Sequence, residues 1–485
     1  MSGESIPIRK INDNTWEIPK TYKECMTVPG ILYADEELLQ KVKQDLTLEQ
    51  LANVACLPGV LKHAVAMPDA HQGYGFPIGG VAATDYAEGV ISPGGVGYDI
   101  NCGVRILASN LTVDDVKPKI NELIDLLFRE IPSGLASKGK IRVNVGELNE
   151  VISGGAKWAV EKGYGWSGDL KHCEEDGCMR TADPDEISPK AKDRGKSQIG
   201  SLGSGNHFLE VQFVDKIFQP DVARRFGIEA TGQVLVMIHT GSRGLGHETC
   251  SDYLRLMESS TRKFNIKLPD RELACAPNNS MEAEKYFKAM SGAANFAWCN
   301  RQLITHWTRE AFKQVFRRDA EELGMRLIYD VAHNIAKLEE HDIDGKRVKC
   351  YVHRKGATRA FPADHPDLPA DYRDIGQPVI IPGTMGTSSY LLLGKPKAMG
   401  ISFGSTAHGA GRVLSRMRAI KSFSAADVKS KLTSRNIVVR AADLKVISEE
   451  APGAYKDIDR VVKVSNELGI ATLVAQMRPL AVTKG

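Results

Sequence analysis

Val234-Leu235-Val236-Met237-Ile238-His239-Thr240-Gly241 sets five apolar residues in a row against a histidine, a threonine and a glycine. A short apolar run closed by polar and glycine residues reads as a buried strand with a loop at its tip. The strand delivers His239, and strand tips are where α/β enzymes gather reactive groups. Two other stretches follow the same rule. Leu327-Ile328-Tyr329 is a buried-type run that ends near His333-Asn334, and His207-Phe208-Leu209-Glu210-Val211-Gln212-Phe213-Val214 alternates, with His207 at its start on the face of Leu209 and Val211.

Helical periodicity surrounds these strands. From about Met281 to Arg318, Phe296, Cys299, Leu303, Trp307 and Ala311 recur at three- and four-residue steps, and His306 is a surface or packing residue there. Ile120, Leu123, Ile124 and Leu127 form a core-facing stripe. The first 55 or so residues read as a strand-poor entry segment, and residues 58–103 as a loop region dense in glycine and proline. Residues 165–200, polar and turn-rich, read as a surface insertion. Cys173 and Cys178 inside it, beside His172, lack a further zinc ligand and are expected as free thiols. With no repeat and no linker that forces a cut, the expectation is one unit over residues 1–485, of mixed α/β (α+β) class.

Composition narrows the function classes. With 485 residues, 42% of them hydrophobic, the chain buries a large core with ease, and its apolar runs are far too short to span a bilayer. Its first residues lack a charged segment followed by an apolar one, so the expected location is cytoplasmic, and the nine cysteines read as reduced thiols. A net charge of +3, from 63 Lys and Arg against 60 Asp and Glu, leaves any polyanion to local patches. Three basic patches are Lys190–Lys196, His353–Arg359, and Arg412 with Arg416, Arg418 and Lys421.

The chemistry gathers in five segments. Asp99 and Cys102 lie three apart in a glycine-rich loop, and His207, His239 and His333 stand at strand ends. One carboxylate, one thiolate and three imidazoles exceed what a single tetrahedral ion needs, which favours two metals with Cys102 as a candidate bridge. Ligand softness leaves zinc and manganese both open. His408 differs in kind. Ser405-Thr406-Ala407-His408-Gly409-Ala410-Gly411 surrounds it with small residues that admit a bulky electrophile, and Arg412 follows to offset phosphate charge, the setting of a nucleophile. Pro382-Gly383-Thr384-Met385-Gly386-Thr387-Ser388-Ser389 supplies backbone amides and hydroxyls for a phosphate or a purine edge.

Gly97-Tyr98-Asp99-Ile100-Asn101-Cys102-Gly103, Gly203-Ser204-Gly205-Asn206-His207-Phe208-Leu209-Glu210, His239-Thr240-Gly241-Ser242-Arg243-Gly244 and His408-Gly409-Ala410-Gly411-Arg412 together resemble the RtcB family of tRNA-splicing RNA ligases, of the archaeal type. The resemblance runs in order from Pro68-Asp69-Ala70-His71 to Lys484. It implies a single large fold with a deep central cleft holding a two-metal site. It implies a GTP- and manganese-dependent ligase that joins RNA 2′,3′-cyclic phosphate or 3′-phosphate ends to 5′-hydroxyl ends, as in tRNA splicing and RNA repair. The substrates would be tRNA exon halves, and an archease activator is a further implied partner. By motif, Asp99, Cys102 and His207 would hold one Mn2+, and Cys102, His239 and His333 the other. His408 would carry the guanylyl group. Nucleotide contacts would fall on Asn206, His207, Phe208, Leu209, Glu210, His333, Asn334, Pro382, Gly383, Thr384, Met385, Ser389, Gly409, Ala410, Gly411 and Lys484, with Tyr455 as a base-stacking neighbour. Arg243, Lys355 and Arg412 would place RNA phosphates. The alternative is a two-metal phosphoesterase acting on RNA ends, which would need neither His408 nor a purine pocket.

Overall fold

The strand that carries His239 and the strand that follows His207 split their side chains between two hydrophobic layers. Along Val234–Thr240, Val236 and Ile238 pack with the layer that holds the long helix, whereas Leu235 and Met237 enter the opposite one. Leu209 and Val211 against Phe208 and Val214 divide in the same way. This is the period-two alternation of a sheet covered on both faces. The computed structural model describes residues 6–485.

That strand belongs to a central sheet with the order Leu327–Ala332, Gly103–Leu107, Val234–Thr240, Phe208–Ile217, Ala471–Lys484, Ser389–Gly394, Pro378–Ile381, with Val438–Ala441 added in parallel to Ala471–Lys484. All its other pairings are antiparallel. A second sheet runs Arg9–Asn12, Thr15–Ile18, Gly30–Tyr33, Ala64–His71, Ile78–Asp85, Lys346–Lys355, Asn334–Ile343. At one of its crossings the chain passes from the central sheet to the second through a single residue, His333, since Ala332 closes a central strand and Asn334 opens one of the second sheet. A two-stranded ribbon, Ala357–Arg359 paired with Ser405–Ala407, leads straight to His408. The fold is therefore mixed α/β.

The helical readings match the structure closely. The helix over Met281–Phe316 buries Phe296, Cys299, Leu303 and Ala311, and Ile120–Glu130 buries Leu123, Ile124 and Leu127. Other expectations are corrected. The N-terminal 55 residues hold three strands and two helices, Glu36–Val42 and Thr47–Val54, rather than a strand-poor segment. The glycine-rich region 58–103 contains the strands Ala64–His71 and Ile78–Asp85, so Pro68 and Asp69 lie within a strand and not in a loop. A register shift between Ala66 and His71 accommodates that proline, as bulges do.

Cys25 and Cys56 are joined as a disulfide, which corrects the expectation of nine reduced thiols, and the other seven cysteines, Cys173 and Cys178 included, are free. Residues 165–200, expected as a surface insertion, send buried groups inward. Asp169 takes both Nη atoms of Arg309 at 2.6 and 2.7 Å, and Glu174 pairs with Lys337 at 2.6 Å. The basic stretch His353–Arg359 is not a solvated patch either. Arg354 and Arg359 are fully buried, Arg354 against Glu339 and Ser405, Arg359 against Gln377 and the Tyr329 hydroxyl. A guanidinium survives burial when its donors find such acceptors.

Candidate active site

The register of the central sheet puts the metal-type residues in one row. Ala332 lies opposite Gly103, Gly103 opposite Thr240, His239 opposite Phe208, and Phe208 opposite Lys484. His333, Cys102, His239, His207 and Lys484 thus emerge side by side at one sheet end. Asp99 joins them from the loop before Gly103.

The ligand atoms form two triads that share Cys102. Asp99, Cys102 and His207 make one, and Cys102, His239 and His333 the other, all atoms within each lying inside 4.8 Å. The Cys102 Sγ is 3.5 Å from His207 Nε2 and 3.3 Å from His239 Nε2, and the Nε2 atoms of His239 and His333 are 3.3 Å apart. His207 Nε2 lies 2.8 Å from the Asp99 Oδ2. The Nδ1 of His207 faces the Leu202 carbonyl at 3.1 Å, which fixes its proton there and frees Nε2 as a donor toward the centre. Burial drives the imidazoles of His239 and His333 far below their ordinary range, and burial beside Asp99 pushes the Cys102 thiol well above its own. Burial opposes ionisation of Asp99, yet its interaction with the His207 ring and the hydrogen bonds around the carboxylate hold it down to about 2. Neutral imidazole nitrogens turned on one another around an anionic carboxylate are a donor set that a divalent cation satisfies.

The long helix braces these loops from behind. The Nη1 of Arg301 donates to the carbonyls of Asn101 at 2.8 Å and Thr240 at 2.9 Å, while Asp330 fixes the other edge of the guanidinium. Asn300 reaches the Gly241 carbonyl at 3.2 Å, and a Cβ on Gly241 would stand 2.3 Å from Asp99. Neither Arg301 nor Asn300 was anticipated, because both sit on a helix that reads as packing.

His408 adjoins the second triad, its ring centroid 4.9 Å from that of His333. Asp69 organises it. One carboxylate oxygen accepts from His408 Nδ1 at 2.6 Å and from the backbone amides of His408 and Gly409 at 2.9 and 3.2 Å. Burial works against ionisation of that carboxylate, but its interaction with the His408 ring and the ring and backbone hydrogen bonds keep it below its usual value. With Nδ1–H committed to Asp69, the Nε2 lone pair of His408 is available. Gly411, at φ +73°, lets the loop close on Asp69, since a Cβ would meet the Asp69 carbonyl at 2.0 Å. Nothing in the sequence near Asp69 points to this role, for its partner lies 339 residues away.

The cleft in front of these groups is a cavity of about 370 Å³. Of the expected nucleotide contacts, Asn206, Phe208, His333, Asn334, Pro382, Gly383, Thr384, Gly409, Ala410, Gly411, Tyr455 and Lys484 line it. Leu209 and Met385 instead pack in the hydrophobic layers, and Ser389 lies behind the wall, its Oγ accepting from the Gly383 amide at 3.1 Å. At the far end Arg412 donates to Glu450 and to the Tyr455 hydroxyl, both at 2.9 Å, and Lys484 bonds the Gly205 carbonyl at 3.0 Å. Glu210 is buried with one oxygen on Gln212 at 2.7 Å and the other unpartnered, and burial lifts its carboxyl to about 7. Of the residues expected to place phosphates, Arg243 donates to Ser201 and the Gly134 carbonyl, and Lys355, which lines the cavity, to the carbonyls of Tyr74 and Phe76. On the helix Arg416–Ser422, Arg418 and Lys421 are exposed, while Arg416 pairs with Glu449 at 3.1 Å.

Comparison with known proteins agrees with this geometry. The family profile described as tRNA-splicing ligase RtcB matches residues 50–485. The chain is 61% identical over 482 residues to a tRNA-splicing ligase RtcB of Thermococcus kodakarensis, with 99% of this chain and 100% of the relative covered. It is 56% identical to one of Pyrobaculum aerophilum, covering 99% and 100%, and 56% identical to one of Archaeoglobus fulgidus over the full length of both.

Proposed function

This chain belongs to the RtcB family and is an RNA ligase, and we propose that it joins RNA 3′-phosphate or 2′,3′-cyclic phosphate ends to 5′-hydroxyl ends through a guanylated His408, using GTP and two manganese ions. The observation that carries the reading is the Asp69–His408 pair at 2.6 Å beside ligand triads that share Cys102.

In this reading His408 Nε2 attacks the α-phosphorus of GTP. A nitrogen–phosphorus bond forms, the bond to the β-phosphate oxygen breaks, and pyrophosphate departs. Asp69 keeps the Nδ1 proton and offsets the positive charge that the ring acquires. An RNA 3′-phosphate oxygen then takes GMP from His408, and the 5′-hydroxyl of the second strand displaces GMP to make the phosphodiester. Manganese in the two triads would supply Lewis acidity to phosphate oxygens. The triad donors orient the reacting ends and the small residues Gly409 and Ala410 leave room for them. Glu210, with its unpartnered oxygen, suits the N–H donors of a guanine edge, which adenine lacks at the corresponding ring nitrogen. An archease-type activator belongs to the same reading.

The decisive experiment is the mass of the protein after GTP and manganese. A GMP adduct is expected, acid-labile and alkali-stable, mapping to His408 and absent from His408→Ala. The adduct on Lys484, or no adduct with RNA joining intact, would overturn the proposal.

A further inference from the structure

Three aromatic rings in the cleft have no part in the chemistry above. Tyr98 and His247 are stacked, centroids 5.0 Å apart and planes 25° apart, and Tyr74 meets Tyr98 edge-on at 5.8 Å. All three line the same cavity as Cys102 and His408. Tyr98 directly precedes Asp99, so the pair flanks the first ligand triad, whereas His408 flanks the second. His247, on the helix Arg243–Lys263, is exposed, while Tyr74 and Tyr98 are half-buried.

The loop that carries Tyr74, which meets Tyr98 edge-on, is held from behind before any ligand arrives. Gln50 clamps Gly73 through paired hydrogen bonds of 2.8 and 2.9 Å, Glu272 accepts from the Gly75 amide at 2.8 Å, and Lys355 binds the carbonyls of Tyr74 and Phe76. A fixed platform loses little conformational freedom on binding. Exposed stacked rings gain nothing for the fold in water that they would not gain if turned inward, yet here they border a polar cleft beside Arg416.

We propose that Tyr98 and His247 form a stacking platform for the terminal nucleobase of an RNA end, the base continuing the stack on the outer face of His247. This rests on the reading of the cleft as the place where RNA ends meet. An end whose phosphate or hydroxyl reaches the triads and His408 must set its last base one nucleotide away, and the platform lies next to the first triad. Stacking reads the face that all bases share, so it fixes the end without selecting a sequence. Either strand presents that chemistry, and binding separates the two.

The test is fluorescence anisotropy with the full-length protein and manganese, GTP omitted, on short RNAs bearing a 3′-phosphate or a 5′-hydroxyl, each intact or with its terminal base removed. For one of the two ends, His247→Ala is expected to weaken binding of the intact RNA about tenfold, within the range known for base–aromatic stacking. His247→Phe should bind as wild type, and the abasic RNA should bind the wild type and His247→Ala equally. Tyr98→Phe should keep the platform and Tyr98→Ala lose it. The end that shows this pattern identifies the strand. Equal binding of both intact ends by wild type and His247→Ala, or a loss that is the same for intact and abasic RNA, overturns the platform. Failure of the guanylation chemistry would appear instead as a wild-type protein without a GMP adduct, whatever its binding.

Discussion

The row of candidate metal ligands and His408 sit a few ångströms apart but are built on different principles. Cys102, His207, His239 and His333 leave one end of one sheet, and a single helix holds two of their loops through Arg301. His408 comes from a separate ribbon, and its orientation depends on Asp69, a strand residue of the other sheet. One half of the site is set by register within a sheet. The other is set by how two sheets meet.

The largest effect expected from breaking this arrangement comes at Cys102, which both triads share. Cys102→Ala should remove both ions, counted by metal analysis of the purified protein, and abolish nucleotide transfer. The cost in folding stability should be small, about 1 kcal/mol, since only one sulfur atom is lost. Two ions still bound per chain would show that the halves of the metal row are independent. The nucleophile half responds next. Asp69→Asn should leave metal content intact but lower the rate of GMP-adduct formation about 10²–10⁴-fold, because a carboxamide no longer favours the Nδ1–H form of His408 or balances its charge. A fall in bound metal alongside would mean that the two halves are one.

The smallest effect is a pH dependence seated in Glu210. Its folded carboxyl titrates near 7 against an ordinary value of 4.5, because burial penalises the charge. The folded protein therefore binds more protons than the unfolded chain between those values, and stability contributed by this group is present below about 4.5 and lost as pH rises through about 7. Glu210→Gln should flatten that part of a melting-temperature series over pH 4.5 to 7. An unchanged slope would place the titrating group elsewhere.

How much of this was legible follows from where each signal is written. The candidate ligands could be read because the histidines stand at or near the ends of apolar runs and Asp99 and Cys102 lie in a glycine-rich loop, local patterns that need no knowledge of the fold. The small residues around His408 could be read for the same reason. Asp69 could not be assigned a role, since nothing within its neighbourhood points 339 residues away. Arg301 and Asn300 hide in a helix whose periodicity speaks only of packing. The second sheet was missed where Arg9–Asn12 is exposed at all four positions and where Pro68, Gly79 and Gly80 interrupt its strands with residues that usually mark turns. Arg354 and Arg359 misled because a lysine- or arginine-rich stretch is ordinarily solvated, and their buried acceptors lie on distant segments.

His333 is the whole of the connection between Ala332 in one sheet and Asn334 in the other. Most connections tolerate added length at little cost in closure entropy. This one has no slack, because an extra residue would reverse the facing of every side chain from Asn334 to Ile343 as well as displace an imidazole. The joint acts as a gauge block: the same buried residue joins the two sheets and carries an imidazole of the site, so insertions that surface turns absorb have no neutral form here.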